Sequence, residues 1–374
     1  MLKRQSKTKI FFLSLIPFLM LLSGCEFKDI DKDVFVSMIA IDKSSDNDKP
    51  YKITLKFYQP TSSYKEAPEP QFSYLTQNGE SLSEAIRLME SYIDKEIEFG
   101  HSKLIVIGED LIKAKKSKEI LDFLLRRPDI QMISWITVGR PTAEEIVHLV
   151  PEGENAAYPA IFNYFDENGT ESQYIVTSYL FDFRRRLKEE GIDTVLPIIV
   201  IDEEKKHFKV NRALILRNNK EPHELSTLDT GIYNMLTSRA KVADLIIKEE
   251  GDYFIARIDS IDSKFKVNVS DTKKITIELE VSLVGYISES KETLQNKDLP
   301  YLNKLLEKDA NMKFTAFMEE MIKNGYDPLG FRMNYKSHTL HNHRISTEEW
   351  NEAYKDAEIH ITVKPGLKST GTIQ

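Results

Sequence analysis

The residues able to do covalent chemistry are few. The chain has one cysteine, Cys25, among 374 residues. A single Cys cannot close an intrachain disulfide or build a Cys-based zinc site. Three imidazoles fall close together in Ser337-His338-Thr-Leu-His341-Asn-His343, where a folded loop could gather them around zinc. No carboxylate stands near them at helical or strand spacing, so a polar surface loop is the plainer reading of His338, His341 and His343. His101 follows Phe99-Gly100 and precedes an apolar run, the place of a structural hydrogen-bonding residue at a strand start. Arg184-Arg185-Arg186 falls on a predicted helix and points three ways, which makes a solvated helix face the expectation. Glu144-Glu145 and Glu319-Glu320 are adjacent, cannot face each other on a helix, and do not make a glycosidase pair. No Gly-x-Gly-x-x-Gly, phosphate loop, Gly-x-Ser-x-Gly or His-Glu-x-x-His occurs. Nothing here demands catalysis, and the expectation is a non-enzymatic chain with no cofactor and no metal.

Cys25 stands in an informative setting. The chain opens Met-Leu-Lys-Arg-Gln-Ser-Lys-Thr-Lys, with four positive charges and no acid before residue 26. Ile10 to Gly24 follows, uncharged and rich in Phe, Leu and Ile, which is the layout of a secretory signal. A spanning helix needs ~20 apolar residues; this run is shorter and carries Ser14 and Pro17. It ends in Leu22-Ser23-Gly24-Cys25. Small residues at 23 and 24 let the chain enter a peptidase in extended form, Leu22 fills a pocket, and the Cys25 thiol receives a diacylglyceryl group. The pattern resembles a bacterial lipoprotein precursor cleaved between Gly24 and Cys25. Residues 1–24 would be removed and 25–33 would form a short charged tether. Two acyl chains give stable anchoring where one gives only marginal binding. The mature chain would keep 47 Lys+Arg against 59 Asp+Glu, a net charge of −12. The acyl anchor, not charge, must then hold the body to anionic lipid.

Composition sets the rest of the frame. At 41% hydrophobic residues the chain can build packed cores, which excludes a disordered or low-complexity protein. Its length suggests two or three domains at ~100–200 residues each. A net charge of −8 for the full chain argues against nucleic-acid binding, which needs a basic face. After Cys25 the longest apolar runs, Met132 to Gly139 and Val195 to Ile201, are too short to cross a bilayer and read as buried strands.

Periodicity then gives the elements. Val34 to Ile41 reads as a buried strand and Lys52 to Tyr58 as a half-buried one, joined through Asp46-Asn47-Asp48. Pro60 to Gly79 reads as an exposed loop. Ser81 with Glu84 opens a helix whose stripe runs Leu82, Ala85, Ile86, Met89, Ile93, Ile97. Leu104–Ile107 and Met132–Val138 read as strands, Lys118–Leu125 and the segment from Thr142 as helices. Region 34–201 is therefore a mixed-sheet α/β unit, with a change of character at 151–170 that could divide it. Tyr174 to Glu189 is predicted helical, and the polar Asp202–His207 marks the main boundary. Region 205–374 reads as α+β. Ser226–Ala240 is a helix, and Tyr253–Ile261, Lys264–Val269 and Ile275–Ile287 are three antiparallel strands with one wet face. Two further helices, Leu299–Lys323 and Thr347–Ala357, lead to a last strand, Glu358–Val363.

Three blocks in this frame are similar to those of a known family. They are Phe99-Gly100-His101-Ser-Lys103-Leu-Ile-Val-Ile-Gly108-Glu109, Leu121-Asp-Phe-Leu-Leu-Arg-Arg-Pro-Asp-Ile130, and Gly325-Tyr-Asp327-Pro328-Leu-Gly330-Phe331 ahead of Trp350. With the lipobox and Ile39-Ala-Ile-Asp42, the ordered set resembles the spore germination C-subunit lipoproteins of endospore-forming bacteria, the Ger(x)C family. The likeness runs from residue 22 to the end. It departs after Cys25, where Glu-Phe-Lys-Asp replaces the family's usual Trp and acidic-basic run. The residues also have structural readings: Gly100 and Gly108 bracket a strand, Asp327-Pro-Leu-Gly330 ends the long helix, and Phe331 and Trp350 pack there.

The resemblance implies a non-enzymatic subunit of a germinant receptor, made of three α/β domains on a lipid tether in the inner spore membrane. Its implied partners are a membrane-embedded B subunit and a larger A subunit, and the complex senses small nutrients. A solute-binding lipoprotein of a transporter is the alternative, and would call for two similar lobes around a cleft. A cell-envelope hydrolase would have to rest on the histidine loop.

Overall fold

The computed structural model describes residues 32–58 and 72–370, apart from 153, 155–158, 203, 205, 218, 219, 250 and 341–343. Cys25, Gly24, His341 and His343 lie outside the described residues.

Short apolar runs separated by turns and helices assemble the larger sheet. Its strands are β1 (Asp33–Lys43), β2 (Tyr51–Phe57), β3 (Ser73–Gly79), β4 (Glu96–Glu98), β5 (Leu104–Gly108), β6 (Trp135–Arg140), β7 (Thr194–Asp202), β8 (His207–Leu216) and β9 (His223–Leu225). The spatial order is β3-β2-β1-β5-β6-β7-β8-β9, with β4 against the start of β1. β1, β5, β6 and β7 are parallel, and antiparallel pairs flank them on both sides. Every residue of β5, Leu-Ile-Val-Ile-Gly, is buried, as expected for a central parallel strand covered on both faces.

Two helical layers supply that cover. On one face, α1 (Leu82–Met89), α3 (Ser117–Arg126) and α5 (Leu180–Lys188) pack Ile86, Leu121 and Phe183 against Ile39, Ile105 and Ile136. On the other, α4 (Ala143–His148) and the 3-10 turn Ala160–Tyr164 pack Val147 and Phe162 against Ala40, Val106 and Trp135. A fifth short helix, α2 (Glu109–Lys113), continues directly from β5. Ser81 and Thr142 cap α1 and α4 by accepting from the amides of Glu84 and Glu145, each worth ~1 kcal/mol.

The second sheet has the order β10 (Ala243–Glu249), β11 (Asp252–Val269), β12 (Ile275–Ser290), β13 (Glu358–Leu367). Only β12–β13 is parallel. It is covered by α6 (Thr227–Leu236), α7 (Leu299–Lys323), α8 (Phe331–His338) and α9 (Thr347–Tyr354). On α7 the buried Leu302, Leu306, Ala310, Phe314, Phe317 and Met321 follow helical spacing and join the core of the second sheet. The same core takes in Val195, Ala213 and Ile215 of β7 and β8, so apolar packing runs from one sheet into the other.

Several expectations change. The composition break at Asp202–His207 is a hairpin turn inside the large sheet: Asp202 pairs with His207, and β8 returns along β7. The boundary expected there therefore falls between two strands that pair with each other. Within 151–170, Ile161, Phe162 and Phe165 are buried against the sheet, so the described part of that segment is a covering layer. Ser73–Gly79 is an edge strand in full register with β2; its Ser, Thr, Gln and Asn suit an edge half open to water. The α1 stripe stops at Met89, and Ile97 belongs to β4. Tyr253–Ile261 and Lys264–Val269 form one strand, because Asp262 and Ser263 remain in register opposite Ser282 and Val281. The fold class stands: α/β and α+β, mixed sheet first, largely antiparallel sheet second.

Candidate functional site

The family-block residues separate into three places. The first is the carboxyl end of the parallel strands. Asp42, at the end of β1, accepts from the amides of Ala143 at 2.7 Å and Glu144 at 2.8 Å, and so caps α4 across the sheet. Burial pushes its carboxyl up against the pull of those amides. Gly108 must be glycine here, since a Cβ would stand 2.2 Å from Asp42 Oδ1. Beside it, Glu109 receives a two-pronged contact from Arg140, Nε at 2.9 Å and Nη2 at 2.6 Å. Arg140 also reaches Glu224 of β9 at 2.6 Å, and Glu224 accepts from Arg212 at 2.9 Å. Partial burial raises Glu109, but Arg140 and Lys113 outweigh it and hold the carboxyl below its usual range.

The second place is the junction of the two halves. Asp327 is 3% exposed and its carboxylate accepts from the amides of Gly330 at 2.8 Å, Phe331 at 2.9 Å and Arg332 at 3.0 Å. It thereby satisfies the first free N–H groups of α8. Its own amide donates to Asp193 Oδ2 at 2.6 Å, and its carbonyl accepts from the Asp193 amide at 2.9 Å. Arg186 closes the arrangement, donating to the carbonyls of Asp193 at 2.9 Å and Pro328 at 3.1 Å and to Asp182 at 2.9 Å. Arg217 donates to the Gly325 carbonyl and, at 2.7 Å, to Asn351. Gly330 has φ of +84°, and a Cβ there would meet Ile192 at 3.0 Å, so the turn needs a residue free in the left-handed region. Burial pushes Asp327 up to about 7, with the three amide donors opposing it. Asp193 is likewise raised by burial, against the field of Arg217. Phe331 packs edge-on to Phe265 at 4.8 Å, and Trp350 stacks between Tyr335 and Tyr354.

The third place is the amino end of the parallel strands. His101 is exposed and edge-on to Phe35 at 4.7 Å. Gly100 donates its amide to Glu98 at 2.9 Å and accepts at its carbonyl from Gln131 at 2.7 Å. The Lys103 amine lies 5.8 Å from the Phe162 ring centre. One five-residue strand therefore puts Gly100-His101-Lys103 and Gly108-Glu109 at opposite ends of the sheet. His338 bonds back to the Asn334 carbonyl at 2.9 Å. Among the described residues no three His, Cys, Asp or Glu side chains converge to hold a metal ion.

Sequence reasoning missed the members of these networks that lie outside the blocks. The expectation for Arg186 is a solvated face; it is 6% exposed, held by Asp182 and Asp193 nearby and by Pro328 in a turn 142 residues away. Arg140, Asp193 and Arg217 were equally silent. The signal for Arg186 was local only: Asp182 four residues earlier, the spacing of a helical ion pair. All three places are built to position backbone and join elements, and their ion pairs are internal. A two-sheet mixed α/β body with a locked junction is thus the class of protein that fold and site define.

Comparison with known proteins agrees. The model described as "Spore germination protein N-terminal domain" matches residues 26–201, and "Spore germination B3/GerAC like, C-terminal" matches 211–371. The chain belongs to this spore germination family and has a role in spore germination. It is 23% identical to spore germination protein GerQC of Bacillus cereus, over 98% of this chain and 100% of that protein. It is also 23% identical to the putative spore germination protein YfkR of Bacillus subtilis, over 98% of each chain. The crystal structure of the GerBC protein superposes with a TM-score of 0.57 at 15% identity, covering 88% of this chain and 96% of that one. That likeness shows the fold.

Proposed function

We propose that this chain is a non-enzymatic, lipid-anchored subunit of a spore germinant receptor, supporting receptor assembly and signalling from the outer face of the inner spore membrane. The observation that carries the reading is positional. The family match begins at residue 26, directly after Cys25, the chain's one thiol and the last residue of Leu22-Ser23-Gly24-Cys25. Two acyl chains on Cys25 would confine the body near membrane partners and raise its effective concentration toward them. The partners in this reading are the A and B subunits of the receptor. The internal ion pairs and turn geometry of the family blocks support a role in holding shape for such contacts.

Metabolic labelling tests the anchor. A clickable fatty acid fed during sporulation should label the chain, and Cys25→Ala should abolish the label. A labelled Cys25→Ala chain, or an unlabelled parent, would refute it. The receptor role is tested with spores lacking the gene, which should lose the response to a subset of nutrients while a receptor-independent trigger still works. The solute-binding alternative gains ground if a nutrient shifts the melting temperature of the purified body.

A further inference from the structure

Resting on the lipid-anchor reading, we infer that the amino end of the parallel strands lies against the lipid surface, with Tyr92, Ile133 and Phe181 as its interfacial side chains. Chain length argues for it. Eight residue steps separate Cys25 from Asp33, where β1 begins, and a fully extended chain spans at most about 29 Å over that distance. The opposite end of the sheet is out of range. β1 has eleven residues, so Lys43 stands about 33 Å from Asp33 at ~3.3 Å per step. The Ser44–Pro50 turn lies beyond that. The body cannot stand on that end while Cys25 sits in the bilayer.

The near end has the side chains for a bilayer interface. Ile133 is 65% exposed, Tyr92 70% and Phe181 46%, although each adjoins elements that bury their neighbours. Their common location follows from hydrogen bonds. The Phe181 amide donates to the Met132 carbonyl and the Leu180 amide to the Ser134 carbonyl, both at 2.9 Å. Ser134 bonds to the Ser102 carbonyl at 2.7 Å, and the Lys103 amide donates to Ser37 of β1 at 3.1 Å. Tyr92 lies in the connection from α1 to β4, and β4 pairs in parallel with the first residues of β1, Asp33 opposite Glu96. Tyr and bulky apolar residues suit the headgroup level of a bilayer. The acidic body gains nothing from anionic headgroups, so these apolar contacts and the tether set its orientation.

Cys25 makes a clean test possible, because lipidation consumes its thiol. The full lipidated chain carries one introduced cysteine, Tyr92→Cys, Ile133→Cys or Phe181→Cys, or Asp48→Cys in the β1–β2 turn at the far end. Each is labelled with an environment-sensitive fluorophore in phosphatidylethanolamine–phosphatidylglycerol vesicles containing a doxyl-lipid quencher. The expected result is blue-shifted emission and several-fold stronger quenching at 92, 133 and 181 than at 48. Equal, weak quenching at all four in protein that floats with the vesicles overturns the orientation and leaves the anchor reading intact. Protection of 133 and 181 that requires a co-reconstituted membrane protein also overturns it, in favour of a protein contact. A parent chain that fails to float and labels at Cys25 defeats the anchor reading itself. All four sites are exposed, so these substitutions do not disturb the cores.

Discussion

Arg186 donates to the Pro328 carbonyl at 3.1 Å across 142 residues of sequence. The contact joins the end of α5, beneath the large sheet, to the turn that starts α8 beside the small one. Both ends are buried, and the same guanidinium satisfies Asp182. Losing this guanidinium takes a donor from two buried carbonyls, at a cost of about 1–3 kcal/mol, while Asp182 keeps Arg185 and Arg239. Arg186→Met should therefore lower the unfolding free energy of the purified chain, read from urea titration, by that amount, and the midpoint with it. Arg186→Lys should recover part of it, because an ammonium replaces the charge but not the planar fork. A midpoint unchanged in Arg186→Met would show that the junction does not stabilise the fold.

Asp327 gives the junction a pH signature. Its folded pKa of about 7 stands above the ordinary 3.8, so between those values the folded chain holds a proton that the unfolded chain has lost. Stability from this group is present below about pH 4, falls as pH rises through 7, and is then lost, with a slope of at most about 1.4 kcal/mol per pH unit. Asp327→Asn removes the titration. It also sets an amide NH2 among backbone donors, at ~1–3 kcal/mol. Subtracting its unfolding curve from the parent's should leave a difference that shrinks as pH rises from 5 to 8. Glu109, held below its usual 4.5, acts in the opposite sense: its contribution is present above 4.5 and lost at lower pH, outside that window. Parallel profiles for the two proteins would contradict the assignment to Asp327.

At the other end of the sheet, Gly108 and Asp42 should behave as one unit. Asp42→Ala leaves Thr142 in place but takes away the acceptor for the amides of Ala143 and Glu144 at the start of α4, and should cost ~1–2 kcal/mol. Gly108→Ala should cost at least as much, because its Cβ would collide with Asp42 Oδ1 at 2.2 Å. In the double variant the collision is gone, so the combined loss should be smaller than the sum of the two. Thermal melts of the four proteins read this directly, and strict additivity would mean the two residues do not touch.

Local order was legible in the sequence where a single element decided it. α7 stands at Leu299–Lys323, the range expected for it from its amphipathic pattern. The helix start at Ser81 followed from cap chemistry, and the helices expected from Thr142 and Ser226 begin with those residues as their caps. The errors share a cause: the deciding partner is remote. Asp262-Ser263 reads as a turn until β12 is seen to hold it in register. Arg186 reads as a solvated cation until Pro328 arrives. At the candidate site, the blocks around Gly108 and Asp327 were visible as motifs, but Arg140, Asp193 and Arg217, which make those motifs into networks, carry no mark in their own neighbourhoods.

The central claim is a lipid-anchored role in the response to nutrients, and one measurement bears on it most directly. Spores carrying Cys25→Ala, spores lacking the gene and parent spores are followed by optical density after a panel of nutrients, and after a trigger that bypasses nutrient receptors. Related receptors are deleted from all three backgrounds. The account predicts that both mutants lose the same subset of nutrient responses and keep the bypass response. Full nutrient responses in the strain lacking the gene would contradict it.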